Sequence, residues 1–126
     1  MQDAPTTKEL IEAVRAFIEE KAMPELKGHT AFHARVAANA LAIVERELEL
    51  GPKARSEERA RLAQLLGHDG PLDELNGELA ALIRKGEMGL ETEGLRDHLW
   101  STTLAKVAID QPKYSGLQTA LKRRKD

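Results

Sequence analysis

The chain has no cysteine, so disulfides, thiol catalysis and cysteine-type zinc sites are all excluded. Aromatic residues make up only 3% of its 126 residues, and the core must therefore be built from Leu, Ile, Val and Ala. No apolar stretch approaches the roughly 18 residues that a membrane-spanning helix requires, and the first residues lack the basic and then apolar runs of a signal peptide. Neither sign of charge dominates. The net charge of −2 gives no strong field for nucleic acid and no acidic solvating tail. A cytoplasmic protein with neither a membrane nor a nucleic acid as partner is expected.

What the chain does have is 41% hydrophobic and 32% charged residues, a balance that lets burial offset chain entropy. Its apolar residues recur at helical spacing. Thr6-Thr7-Lys8-Glu9 fits a capping box, and Leu10, Ile11, Val14, Phe17 and Ile18 follow as one stripe that Pro24 ends. A second helix is predicted from about residue 30 to residue 50, stopped by Gly51-Pro52. On a wheel its apolar arc holds Phe32, Val36, Ala40, Ile43, Val44 and Leu48, leaving Arg35, Ala38, Ala42, Glu45, Arg46 and Glu49 on the solvated side. Ser56 opens a third helix with Leu62, Leu65 and Leu66. Leu72, Leu75, Leu79, Leu82 and Ile83 mark a fourth, and a last long helix runs from about residue 92 to residue 110. Tyr114 and Leu117 are expected to dock back, and the basic end, from about residue 118 to residue 126, to fray. The expectation is an all-α protein: one compact domain of about five helices around a central, largely buried second helix.

Few residues suggest chemistry. His33, Asn39 and Glu47 fall inside the apolar arc of the second helix, and Lys106 is similarly misplaced on the last. A partly buried Glu47 to Lys106 ion pair answers both anomalies, and such a pair ordinarily serves structure. His33 and Glu47 are about 21 Å apart along a straight helix, too far for a direct acid and base pair. His29 and His33 have the four-residue spacing of a metal-binding helix. They are weak candidates, because His29 is expected outside the helix and no third ligand is evident. Gly67-His68-Asp69-Gly70 lacks the Lys-Ser/Thr of a phosphate loop and reads as a turn. Ser101, Thr102 and Thr103 beside His98 match no nucleophile motif. No catalytic residue, metal or cofactor is assigned.

Three segments resemble a known family: Asp3-Ala4-Pro5, then Phe32-His33-Ala34-Arg35-Val36-Ala37-Ala38-Asn39 with Ile43-Val44-Glu45-Arg46-Glu47-Leu48, and Leu104-Ala105-Lys106-Val107-Ala108-Ile109-Asp110-Gln111-Pro112-Lys113-Tyr114. The family consists of small bacterial proteins defined only as a domain of unknown function. It has no established site residues. The resemblance implies genes neighbouring aminoglycoside- or choline-phosphotransferase-like kinases and acyl-CoA dehydrogenases, and hence such an enzyme as partner. The leading expectation is a non-catalytic accessory or interaction module. The alternatives are a small-molecule or metal-binding bundle using His33, Asn39, Glu47 and Lys106, and a self-associating structural protein.

Overall fold

The computed structural model describes residues 3–125. Among them are five α-helices and no strand: α1 (Thr7–Phe17), α2 (Gly28–Leu66), α3 (Leu72–Arg84), α4 (Leu95–Asp110) and α5 (Ser115–Lys125). The all-α class and the number of helices match the sequence reading, although the helices are divided differently. The predicted second and third helices are one 39-residue helix, and Pro52 lies inside it. Proline removes one backbone donor and crowds the preceding turn, which bends or weakens a helix without always ending it. By internal contacts the chain forms two compact units, and their boundary falls between Leu50 and Gly51, at this proline.

In the N-terminal unit, α1 opens with the expected capping box. The Thr6 amide donates to Glu9 Oε2 at 2.7 Å and the Glu9 amide donates to Thr6 Oγ1 at 3.2 Å. Past Phe17 the backbone widens into a π turn, Ile18–Ala22, and tightens into a 3-10 turn, Met23–Glu25, which accommodates Pro24 near its start. Gly28, at φ 64°, takes the left-handed conformation that begins α2. The wheel of α2 is turned relative to expectation. Ala38 and Glu45 are buried and Ala31, Ala34, Leu41 and Ala42 half-buried, whereas Phe32, Val36, Val44 and Leu48 are exposed. Arg15 Nη2 meets Glu45 Oε2 at 3.0 Å and Lys8 Nζ meets Glu49 Oε2 at 3.8 Å, so this small-residue face turns toward α1. Apolarity alone could not show that, because α1 supplies a cation for the buried carboxylate.

In the C-terminal unit the core is conventional. Leu62 of α2, Leu75 and Leu79 of α3 and Leu95 of α4 form one buried cluster, with Leu65, Leu66, Leu72 and Met88 packed against it. Each fully buried leucine contributes about 1.5–3 kcal/mol of transfer free energy. Leu104 of α4 packs with Leu117 and Ala120 of α5 in a second cluster. The basic residues Lys122, Arg123, Arg124 and Lys125 belong to α5. Leu117 docks as expected, while Tyr114 stays exposed. Met1, Gln2 and Asp126, which the sequence reading includes in its single domain, lie outside the described residues.

Candidate functional site

The only buried imidazole among the described residues is that of His98, which is 2% exposed. His98 and Thr102 stand four residues apart on α4 and so share one face. Arg61 of α2 bridges them, its Nε donating to His98 Nδ1 at 3.3 Å and its Nη2 to Thr102 Oγ1 at 3.1 Å. A guanidinium can only donate, so Nδ1 accepts and the ring proton belongs on Nε2. Burial lowers the His98 pKa from its ordinary value, the Arg61 charge lowers it further, and Glu58 opposes both. Glu58 Oε1 in turn accepts from Asn76 Nδ2 of α3 at 3.2 Å. These contacts tie α2, α3 and α4 together within the unit. They do not activate a nucleophile, since the Thr102 hydroxyl engages Arg61 rather than a base.

The loop from Gly67 to Pro71 is fixed from both sides. Gly67 has φ 82°, and Asp69 receives the Arg59 Nε at 2.8 Å, the Arg59 Nη2 at 3.1 Å and the Gly70 amide at 2.8 Å. The Arg59 bond and then the Gly70 amide hold the Asp69 pKa below the usual carboxylate value. His68 Nε2 lies 2.7 Å from Glu78 Oε2, and the Asp69 carbonyl, followed by Glu78, raises the His68 pKa. The segment is a self-satisfied turn, as its sequence suggests.

A hollow of about 580 Å³ opens at the start of α4, lined by Leu90, Glu91, Thr92, Glu93, Gly94, Arg96, Asp97 and Trp100. Gly94 has φ 87°, and a Cβ there would come within 3.3 Å of Leu65 Cδ2, so glycine lets α4 begin close to the core. The Gly89 amide donates to Thr92 Oγ1 at 3.0 Å and shapes the preceding loop. Leu90 is 74% exposed and Trp100 50% exposed on its walls. Its lining includes three carboxylates, Glu91, Glu93 and Asp97, and one guanidinium, Arg96, a composition that suits a ligand surface with apolar and cationic parts.

The sequence-predicted residues lie elsewhere. His33, Asn39 and Glu47 are exposed on α2 in the N-terminal unit, and Lys106 is exposed on α4 in the other. The buried carboxylate of α2 is Glu45, two positions from Glu47. His29 belongs to the first turn of α2, not to the loop before it, so His29 and His33 are a true four-residue pair. Among the described residues no group of three His, Asp or Glu side chains is arranged to hold a metal ion. Sequence reasoning missed Arg15, Glu58, Arg61 and Asn76 as partners. The only signal for the Arg61 contact was the polar pair His98 and Thr102 continuing the Leu95 stripe.

A family model described as a domain of unknown function (DUF6285) matches residues 24–114, which include His98, its partners and the hollow. No curated protein and no solved structure matches the chain.

Proposed function

Since this chain belongs to a family described only as a domain of unknown function, we propose from its surface that it is a non-catalytic protein-interaction module that binds its partner at the Trp100 hollow. The observation that carries the proposal is an indole half open to solvent beside Leu90, on a surface rimmed by Glu91, Glu93 and Asp97. Exposed tryptophan in a concavity is the side chain most often found to dominate binding energy. The occupant is a partner segment that places an apolar side chain against Trp100 and a basic one among the carboxylates. The proposal takes the protein to be bacterial and cytoplasmic, and its partner to be the phosphotransferase-like kinase or acyl-CoA dehydrogenase implied by the resemblance. No helix among the described residues is long and apolar enough to cross a membrane.

Titration calorimetry with each purified enzyme tests the reading. Trp100→Ala is expected to raise Kd at least about tenfold, and Asp97→Lys to weaken binding most at low salt. Absence of binding to either enzyme, or an unchanged Kd for Trp100→Ala, would overturn it. The volume of the hollow also falls within the roughly 300–1,000 Å³ of small-molecule sites, which favours a ligand-binding role as the second reading. A metabolite retained in native mass spectrometry and lost in Trp100→Ala would favour that reading.

A further inference from the structure

The pair α4 and α5 carries an acidic and a basic surface side by side. Leu104 of α4 packs on Leu117 and Ala120 of α5, and farther along α5 the Arg124 Nη2 donates to Ser101 Oγ at 2.8 Å. Numbers rise along α5 as they fall along α4, so the helices are antiparallel and α5 ends next to the start of α4. That start is where the Trp100 hollow lies, with Glu91, Glu93 and Asp97 in its lining. Leu117, Ala120 and Arg124, spaced by three and four residues, occupy the side of α5 that meets α4. Lys122 therefore stands on the opposite side, with Leu121 and Arg123 on the flanks, and Leu121 is 40% exposed. Among the described residues, the side chains of Lys122 and Arg123 are in no ion pair, and neither are those three carboxylates.

We propose that the basic end of α5 from a second copy of the chain occupies the Trp100 hollow, and that the exchange is reciprocal. Leu121 meets the indole, while Lys122 and Arg123 meet the carboxylates. These are the apolar and basic groups that the hollow suits, and every copy carries them beside its own hollow. A chain cannot fill itself in this way, because Arg124 is held at Ser101 and Lys122 stands on the side of α5 away from α4. A two-fold axis passing between two neighbouring surfaces superposes each on the other, so the acidic hollow of each copy meets the basic helix end of its partner and both contacts form together. Opposite charges then face each other twice, whereas hollow against hollow or end against end would set like charges together. The contact consists of one helix end and one hollow, used twice, which places it among small, reversible interfaces. The proposal rests on the reading of the hollow as a protein-binding surface and adds its regulation, since a hollow filled by a second copy is closed to another partner until the dimer opens.

Sedimentation velocity across about 1–100 μM is expected to show a dimer that dissociates on dilution and in about 0.5 M sodium chloride. Trp100 is the only tryptophan, so its fluorescence reports on the hollow directly, and its emission is expected to shift to the blue over the same concentration range. Two charge-reversed chains make the decisive test. Lys122→Glu/Arg123→Glu sets acid against acid, Glu91→Lys/Glu93→Lys sets base against base, and each is expected to raise the dissociation constant at least about tenfold. All four positions are exposed, so the helical circular dichroism spectrum is expected to be unchanged. Mixed together, the two variants are complementary at both contacts and are expected to form a heterodimer. The same reversal at the exposed Lys21 and Lys27 of the N-terminal unit, Lys21→Glu/Lys27→Glu, leaves the parent dimer intact. A parent that stays monomeric at every concentration, a dimer that forms with no change in Trp100 emission, or a mixture that does not associate would each overturn the proposal. No enzyme is present in these experiments, so failure of the enzymes to bind strikes only the function proposed above, and a monomeric parent strikes only this one.

Discussion

The two units of this protein distribute their large apolar side chains in opposite ways. In the C-terminal unit, leucines from three helices close into a cluster in which Leu62, Leu75 and Leu95 have almost no exposed surface. In the N-terminal unit the buried positions of its part of α2 are an alanine and a glutamate, and Leu10, Val14, Phe17, Phe32, Val36, Val44 and Leu48 remain in contact with solvent. Apolar content alone therefore does not make a core. The C-terminal unit closes its leucines into a buried core while leaving Leu90 and Trp100 open to solvent, whereas the N-terminal unit fully buries no large apolar side chain among its described residues.

The contrast is broken most severely at Leu62. Leu62→Ala is expected to cost about 2–5 kcal/mol in urea unfolding. Phe32→Ala, measured where the chain is dilute, is expected to stay within about 0.5 kcal/mol of the parent. Next comes the buried carboxylate. Glu45 is 8% exposed and its Oε1 has no hydrogen-bond partner, so Arg15→Ala leaves a charge poorly compensated and is expected to cost about 1–3 kcal/mol by the same measurement. Glu45→Leu is expected to be neutral or stabilising, because it removes the desolvation cost along with the pair.

A smaller effect comes from the two perturbed histidines. His98 has a folded pKa below the ordinary 6.5, so the unfolded chain binds more protons between the two values. Its contribution is present above 6.5 and is lost as pH falls through that window toward the folded value. His98→Gln keeps an acceptor for Arg61 and is expected to flatten this acid limb in melts taken from pH 7 to pH 5. His68 has the opposite sign. Its raised pKa adds stability below 6.5 that is lost as pH rises through the folded value, and solvent screening at this exposed site keeps it minor. The smallest effect is expected at Asp69→Ala, whose exposed pair with Arg59 should leave the urea midpoint indistinguishable from the parent.

Helical class, the capping box at Thr6 and the C-terminal leucines were legible in the sequence because each rests on local spacing. The direction in which α2 faces was not. Hydrophobicity assigned Ala38 and Glu45 to solvent, yet the choice of face depended on Arg15, which is thirty positions from Glu45 and on another helix. Pro52 misled for a related reason. Proline disfavours the helix interior, but neighbouring turns that each keep their bonds can carry a helix across it. His98 was visible as a residue and invisible as a site, since its environment is made by Arg61 across a packed interface.

Pro52 has a consequence for how the molecule opens. Without its N–H, the carbonyl of Leu48 lacks the usual donor four residues ahead, and this missing rung lies beside the boundary between the units. A helix normally spreads cooperativity along its length, and here the ladder is thinnest where the packing changes. Amide exchange should therefore report two blocks with separate opening free energies, the block before residue 51 exchanging first and the leucine cluster last. One continuous helix would then behave, in time, as two.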